Sequence, residues 1–271
     1  MTKNLDNEGL RSLINNYDLF FIDLWGVVHN GVQLYEKAIN VLDEISKAKK
    51  DYILLTNAPR PNNTVKLFLE KMGMDKRVRE KVFTSGEAAL SFLKKEYSNN
   101  FFFHIGPPRD FDLFKNFENK KTENIKESDY FLCTGLFEHE DDLKFYKELL
   151  SDYTSRKMIC TNPDLIVDRG DKREFCAGSV ALTFEKLGGK VVYFGKPYPE
   201  VYRQSAILEG KKILAIGDNL NTDIKGANLL NFDSMIITSG IHKKEIKNKG
   251  MNEVLKEYEV LVNFMQSELK W

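Results

Sequence analysis

The sequence predicts an α/β fold: a Rossmann-like parallel sheet core that carries an inserted second α/β domain. Short apolar runs rich in β-forming residues alternate with longer stretches of helical period, as strands and crossover helices do in a parallel sheet. This regular alternation is interrupted between about residues 97 and 191. We therefore assign residues 1–96 and 192–271 to the core and residues 97–191 to the inserted domain.

Each core strand is predicted from an apolar run that ends at a polar or glycine position. The predicted core strands cover residues 19–22, 52–55, 82–83, 213–216 and 235–237. Between the first two, Ile39, Leu42 and Ile45 mark one face of a helix, which makes a β-α-β unit. In the inserted domain, strands are predicted over residues 101–105, 130–133, 158–160 and 191–194, and a helix over residues 180–187.

The charges of this chain balance, because its 271 residues include 40 Lys and Arg and 40 Asp and Glu. A neutral chain has no long-range field to attract nucleic acid or anionic lipid, so we expect neither as a partner.

The first residues are polar and acidic, and no apolar run approaches the about 20 residues of a spanning helix. Three cysteines without CxxC spacing predict no disulfide or zinc framework. We therefore expect a cytoplasmic location.

Polar clusters follow four of the apolar runs. In chain order they contain Asp23, Thr56-Asn57, Lys196-Pro197 and, within residues 217–223, Asp218, Asn219 and Asp223. Parallel sheets bind ligands at the carboxyl ends of their strands, and that is where Asp23, Thr56 and Asp218 are expected to lie. The pattern therefore predicts one shared site.

These residue types suit phosphoryl transfer. A carboxylate such as Asp23 attacks phosphorus to form an aspartyl phosphate. Because two anions repel, the reaction needs a cation, and Mg²⁺ suits an acidic platform such as Asp218 and Asp223. Thr, Asn and Lys side chains provide fixed donors for charge on the phosphoryl oxygens. Taken singly, each cluster is more often a turn or helix cap, but the four in this order favour a shared function.

The sequence resembles the haloacid dehalogenase superfamily of phosphohydrolases over nearly its whole length. The resemblance rests on four motifs: Asp23-Leu24-Trp25-Gly26-Val27, Thr56-Asn57, Lys196-Pro197 and Gly217-Asp218-Asn219-Leu220-Asn221-Thr222-Asp223. The insertion resembles the class IIA cap of nucleotide phosphatase-like and 4-nitrophenyl phosphatase-like members, through Thr161-Asn162-Pro163-Asp164 and Ala177-Gly178-Ser179. The chain also resembles a branch of this class that has Asp-x-Trp-Gly-Val followed by His-Asn-Gly.

This resemblance implies a Mg²⁺-dependent hydrolase of a small phosphorylated metabolite. The implied catalytic residues are the nucleophile Asp23 together with Thr56, Asn57 and Lys196. The implied metal site consists of the Asp23 and Asp218 carboxylates and the Trp25 backbone carbonyl, supported by Asp223. The substrate-binding positions are expected at Asn162, Asp164, Gly178 and Asn219. Class IIA relatives often associate through their caps, which implies a homodimer.

One departure from the family pattern concerns proton transfer. The family's phosphatases carry a second Asp two residues after the nucleophile, where this chain has Trp25. An indole does not act as a general acid or base, a function that typically contributes about 10²–10⁴-fold to the rate. We therefore expect a slow phosphatase. The alternatives are a hydrolase restricted to activated leaving groups and a protein that binds a phosphorylated ligand with little or no turnover.

Two further polar positions allow more than one interpretation. His29 lies close enough in sequence to replace the missing acid, although a His in a loop after a strand more often hydrogen-bonds the backbone. The acidic stretch 138–142 resembles a metal cluster, yet it precedes a helical pattern, and acids are favoured at the positive end of a helix. We predict the start of a helix there.

Overall fold

The computed structural model describes residues 2–169 and 172–271. Its strands are β1 (Lys3–Asn4), β2 (Leu19–Ile22), β3 (Asp51–Thr56), β4 (Val82–Thr84), β5 (Phe102–Ile105), β6 (Tyr130–Cys133), β7 (Lys157–Cys160), β8 (Ile166–Arg169), β9 (Lys172–Phe175), β10 (Lys190–Tyr193), β11 (Ile213–Gly217), β12 (Asp233–Ile237) and β13 (Phe264–Gln266). Its helices are α1 (Glu36–Lys47), α2 (Asn62–Lys71), α3 (Lys76–Arg79), α4 (Ser85–Glu96), α5 (Leu143–Leu150), α6 (Ala177–Lys186), α7 (Pro199–Ser205), α8 (Lys225–Leu229), α9 (Lys243–Lys249) and α10 (Met251–Glu257). A π-helical turn, Leu220–Ile224, precedes α8. None of the helices in these ranges has both the length and the apolar character that a membrane crossing requires.

The chain forms two compact units. The first unit combines the segment up to Thr56 with Lys66–Phe83 and Tyr202–Trp271, and the second combines Asn57–Val65 with Thr84–Val201. Parallel strands and helices occur in both units, so the predicted α/β class is confirmed. These units do not decide the limits of 97 and 191 assigned to the inserted domain, which stay a prediction.

The larger sheet has the strand order β1-β13-β12-β11-β2-β3-β4. All residues of β2 are buried, because a run of four apolar residues in an interior strand has neighbours on both faces. Ile22 pairs in parallel with Ile216 of β11 on one side and with Leu54 of β3 on the other. The residues that follow these three strands therefore lie along the same edge of the sheet.

Two helix predictions are tested by side-chain burial and capping. The buried face of α1 consists of Ala38, Val41, Leu42 and Ile45. Ile39, which the periodicity assigned to this face, is only partly buried. The acidic stretch does lead into a helix, since the Asp142 carboxylate accepts a hydrogen bond from the Lys144 N–H at 2.9 Å and caps α5.

The second unit contains a parallel sheet in the order β10-β7-β6-β5. The buried side chains of Phe131, Met158 and Phe184 join this sheet to α6 in one core. The antiparallel hairpin of β8 and β9 was not predicted, because the mostly exposed residues of β9 lack an apolar alternation. The carboxyl ends of β7 and β10 lead into the loops that carry Asn162, Asp164 and Lys196.

Candidate active site

Strand β2 places Asp23 at the carboxyl edge of the larger sheet. The Asp23 N–H donates to the Ile216 carbonyl at 2.9 Å, which extends the pairing of β2 with β11 by one residue. The Asp23 side chain is largely buried, at 8 % exposure. A carboxylate held at a strand end and shielded from water is suited to nucleophilic attack on phosphorus.

Asp23, Asp218 and Asp223 form a carboxylate cluster. One ligand atom from each residue lies within 4.8 Å of the others, and all three side chains are buried. Asp218 directly follows β11, and Asp223 lies in the π-helical turn, a backbone geometry that is frequent at functional sites. Like charges this close repel unless a cation lies among them. Three carboxylates fit Mg²⁺ or another divalent cation, which prefers oxygen ligands.

Glycines bring the backbone close to the carboxylate cluster. Gly26 has a φ of +82°, and a Cβ atom there would lie 2.2 Å from Asp218 Oδ2. A Cβ atom at Gly217 would lie 2.0 Å from Asp223 Cγ. The Asn219 N–H donates to Asp223 Oδ2 at 3.2 Å. Two of the carboxylates are thus positioned by close backbone approach, which a larger residue would prevent.

Trp25 lies in a cradle formed by His29 and Gly31. The His29 ring stands edge-on to the indole with ring centroids 5.3 Å apart. Gly31 has a φ of +86°, and a Cβ atom there would lie 2.4 Å from Trp25 Cη2. Phe68 of α2 contacts the His29 ring in turn, at a centroid distance of 6.0 Å. The His-Asn-Gly sequence after the first motif therefore shapes a site for the indole.

His29 makes the backbone hydrogen bond that was one of its two predicted roles. Its Nδ1 accepts from the Gly31 N–H at 2.9 Å, and the side chain is 3 % exposed. Burial lowers the pKa of the imidazole to about 4, because a cation is poorly solvated there. The ring is therefore neutral at pH 7 and poorly suited to protonating a leaving group.

Two other predicted residues lie in the first unit. Thr56 ends β3, at the sheet edge where Asp23 follows β2, and its side chain is buried. Asn219 caps the π-helical turn, because its Oδ1 accepts from the Asn221 N–H at 2.9 Å. This capping role was not apparent from the motif. The phosphate and substrate contacts expected of Thr56 and Asn219 stay predictions.

In the second unit, Asn57 and Lys196 are joined by two hydrogen bonds. The Lys196 N–H donates to Asn57 Oδ1 at 2.7 Å, and Asn57 Nδ2 donates to the Lys196 carbonyl at 3.0 Å. The Asn57 side chain thus pairs with a backbone as a neighbouring strand would. Gly195 allows this approach, since a Cβ atom there would lie 2.5 Å from Asn57 Oδ1. Both Asn57 and Lys196 are buried, and the peptide bond between Lys196 and Pro197 is cis.

The predicted cap residues lie on the loop after β7 and at the start of α6. Asp164 accepts a hydrogen bond from Asn57 Nδ2 at 3.2 Å through Oδ1. The Asn162 side chain accepts from the Asp164 N–H at 3.0 Å, which fixes the turn. Gly178 packs against this loop, because a Cβ atom there would lie 2.3 Å from the Pro163 carbonyl oxygen. Asn162, Asp164 and Gly178 therefore belong to one loop structure that Asn57 contacts. Their contacts with substrate stay a prediction.

The loop that follows β12 also reaches Asp218, although none of the predicted motifs includes it. The Ile241 N–H donates to Asp218 Oδ2 at 3.0 Å, and a Cβ atom at Gly240 would lie 2.1 Å from the same oxygen. His242 lies next to them and is also buried. The sequence does contain one indication of this loop, because Thr238-Ser239-Gly240 follows an apolar run just as the four motifs do.

Two family models match the chain. A haloacid dehalogenase-like hydrolase model matches residues 20–120, and a HAD-hydrolase-like model matches residues 193–260. The first match includes Asp23 and Thr56-Asn57, and the second includes Lys196, Asp218 and Asp223. The matched segments therefore contain all four motifs.

Similar proteins share the fold over most of this chain. A haloacid dehalogenase-like hydrolase from Brucella suis is 32 % identical, with a TM-score of 0.78 over 86 % of this chain and 93 % of that one. The acid sugar phosphatase of Staphylococcus saprophyticus is 24 % identical over 91 % of this chain and 100 % of that protein. The 4-nitrophenylphosphatase of Thermotoga maritima is 22 % identical, with a TM-score of 0.71 over 95 % of this chain and 96 % of that one. The resemblance predicted from the motifs is confirmed, and the chain belongs to the haloacid dehalogenase superfamily of hydrolases.

Proposed function

We propose that this protein is a Mg²⁺-dependent phosphatase that hydrolyses a small phosphorylated metabolite through an aspartyl phosphate at Asp23. The observation that carries the proposal is the buried carboxylate cluster, whose ligand atoms lie within 4.8 Å of one another. The substrate class is supported by relatives named as an acid sugar phosphatase and a 4-nitrophenylphosphatase. The expected cytoplasmic location, the homodimer and membership of the branch with Trp in the first motif stay predictions.

In this proposal Asp23 attacks phosphorus, the P–O bond to the leaving group breaks, and water then hydrolyses the aspartyl phosphate. A bound divalent cation would offset the repulsion between the Asp23 carboxylate and the phosphoryl oxygens. The Asp23 and Asp218 carboxylates and the Trp25 backbone carbonyl would hold that cation, supported by Asp223. The pairing of its N–H with Ile216 holds the backbone of Asp23 at the strand end, and such positioning of a nucleophile favours its approach to phosphorus.

Thr56, Asn57 and Lys196 are proposed to serve the phosphoryl group in different ways. The Thr56 hydroxyl and the Lys196 ammonium are donors for its oxygens. Asn57 acts indirectly, because its amide oxygen and nitrogen bind the backbone of Lys196. It would therefore fix the loop from which the lysine side chain extends.

We propose that turnover is slow for alkyl phosphates, because neither Trp25 nor the neutral His29 protonates an alkoxide. Loss of general acid–base catalysis corresponds to about 10²–10⁴-fold in rate. Leaving groups of low pKa need no protonation. The indole at position 25 therefore favours a second candidate, a hydrolase restricted to activated phosphates. This candidate is preferred to a protein that only binds phosphate, because Asp23 and the carboxylate cluster are both present.

The experiment that tests these proposals is phosphate release in Mg²⁺ from aryl and alkyl phosphates whose leaving groups span a wide range of pKa. We expect kcat/KM to fall steeply as the leaving-group pKa rises. Asp23→Asn should abolish release, whereas Asp43→Asn, at an exposed position of α1, should not. Trp25→Asp should increase the rate on alkyl phosphates selectively. Release that survives in Asp23→Asn would exclude Asp23 as the nucleophile.

The same experiment separates the candidates. Turnover of aryl phosphates alone supports the restricted hydrolase, and turnover of both classes, slower for alkyl phosphates, supports the metabolite phosphatase. If no ester releases phosphate while Mg²⁺ and inorganic phosphate still stabilise the chain, the binding protein is the better description.

A further inference from the structure

The loop after β12 holds one oxygen of Asp218 through its backbone. The Ile241 N–H donates to Oδ2 at 3.0 Å, and the Gly240 backbone lies against the same oxygen. With one oxygen engaged in this way, the carboxylate has a defined orientation. The position of this loop therefore contributes to the direction in which the other Asp218 oxygen points.

His242 joins that loop to the turn that carries Asp223. Its Nε2 accepts a hydrogen bond from the Leu220 N–H at 3.1 Å. Leu220 is the first residue of the π-helical turn, and both Leu220 and His242 are buried. A single side chain thus links the loop that orients Asp218 to the turn in which Asp223 lies.

Glu245 fixes the orientation of the His242 ring. Because Nε2 accepts, the ring proton of the neutral imidazole is on Nδ1, which lies 3.0 Å from Glu245 Oε2. The Tyr258 hydroxyl donates to the same oxygen at 3.1 Å. Burial raises the pKa of Glu245, but the hydrogen bonds from His242 and Tyr258 outweigh it and leave the pKa below its usual value. Glu245 is therefore a carboxylate at neutral pH and accepts from both partners.

We propose that His242, oriented by Glu245 and Tyr258, is a positioning residue for the divalent cation held by the carboxylate cluster. The inference rests on the proposed function, which supplies the cation. Mg²⁺ requires near-ideal octahedral geometry, so the angle between the Asp218 and Asp223 carboxylates has to be maintained. Side chains that orient metal ligands typically contribute about 10–100-fold to metal affinity.

The test is the Mg²⁺ affinity of the full chain, measured by titration calorimetry with Mg²⁺ alone. His242→Ala should weaken binding about 10–100-fold. His242→Gln should retain more affinity than His242→Ala, because an amide oxygen is able to accept from the Leu220 N–H. Glu245→Gln should weaken binding to a smaller extent, since Nε2 still accepts. These two variants also serve if His242→Ala fails to fold.

The matched control is His104→Ala in the second unit. His104 and His242 are both 7 % exposed, so each substitution removes an equally buried imidazole. His242 hydrogen-bonds the turn that carries Asp223, whereas the hydrogen-bond partner of His104 is the Thr134 hydroxyl. We expect native Mg²⁺ affinity in His104→Ala. Equal weakening in both alanine variants would show a general loss of stability and overturn the inference.

Asp218→Asn separates failure of this inference from failure of the proposed function. Native affinity in His242→Ala, with binding abolished in Asp218→Asn, would overturn the positioning role alone. Absence of Mg²⁺ binding in the native chain would overturn both.

Discussion

Substitution of Gly26 by alanine should displace the Asp218 carboxylate, and thereby weaken metal binding and slow catalysis, in addition to straining the backbone. An alanine at a φ of +82° costs about 1–2 kcal/mol of stability from backbone strain. Its Cβ atom would also lie 2.2 Å from Asp218 Oδ2, whereas ordinary van der Waals contact begins at 3.4 Å. The carboxylate oxygen therefore has to retreat by about 1 Å. Displacements of that size at a reacting centre typically cost about 100-fold in rate.

Gly73 provides the control for this prediction. It has a φ of +88°, but a Cβ atom there would meet nothing within 4 Å. Gly73→Ala therefore carries the backbone strain without the displacement of Asp218. Urea unfolding should give a loss of stability in Gly73→Ala that reports the backbone strain, and a loss at least as large in Gly26→Ala.

The functional assays for this pair are Mg²⁺ titration calorimetry and kcat/KM for 4-nitrophenyl phosphate. We expect about a 100-fold loss of kcat/KM and weakened Mg²⁺ binding in Gly26→Ala, and native values in Gly73→Ala. Equal kcat/KM and equal Mg²⁺ affinity in the two variants would refute the reasoning, because the position of Asp218 would then not limit the site.

Three other outcomes are expected. Gly31→Ala, whose Cβ would lie 2.4 Å from Trp25 Cη2, should displace the indole. In a Trp271→Phe background, where Trp25 is the remaining tryptophan, the tryptophan fluorescence emission spectrum should therefore shift. An unchanged spectrum would contradict the described packing around Trp25. Asn57→Ala should lower the free energy of unfolding by about 1–3 kcal/mol in urea, because buried groups of Lys196 lose their partner; a loss no larger than that of the exposed control Asn40→Ala would argue against this pairing. Burial, with a contribution from Lys121, lowers the pKa of His104 to about 4, so the folded state binds fewer protons than the unfolded state and stability falls as the pH drops from 6.5 toward 4. At pH 5 this loss in the free energy of unfolding reaches about 2 kcal/mol. Urea unfolding at pH 7 and pH 5 should show a smaller loss in His104→Gln than in the native chain. An equal pH dependence of the native chain and the variant would be inconsistent with a buried neutral imidazole.

The sequence predicted those parts of the site that depend on strand ends. The run 19–22 is uniformly apolar and forms an interior strand, so Asp23 had to follow it at the sheet edge. The same reasoning applied to Asp218 after β11, and the pairing of Ile22 with Ile216 brings the two carboxylates together. Parallel strands share a direction, so strand prediction was sufficient to expect both carboxylates at one edge of the sheet, whereas the direct pairing of β2 with β11 comes from the structure.

Side-chain contacts made by loops could not be predicted in the same way. The sequence allows two roles for His29, because an imidazole in a loop after a strand is compatible with catalysis, although it more often hydrogen-bonds the backbone. Burial and the Gly31 N–H decide in favour of the latter. His242 carried no motif, because its connection to Leu220 depends on how the loop after β12 packs against the π-helical turn. Such contacts follow from tertiary packing and have no periodic signal.

The cradle around Trp25 also constrains how this sequence can change. Gly31 has no side chain because the indole occupies that space, and His29 is packed between the indole and Phe68. Replacement of Trp25 by a small acid would leave a void that these neighbours are not shaped to fill, so the effects of substitutions at positions 25, 29 and 31 should be strongly non-additive. A single exchange of Trp25 for Asp would therefore supply a proton donor at a cost in stability, and accompanying changes at positions 29 and 31 would offset that cost.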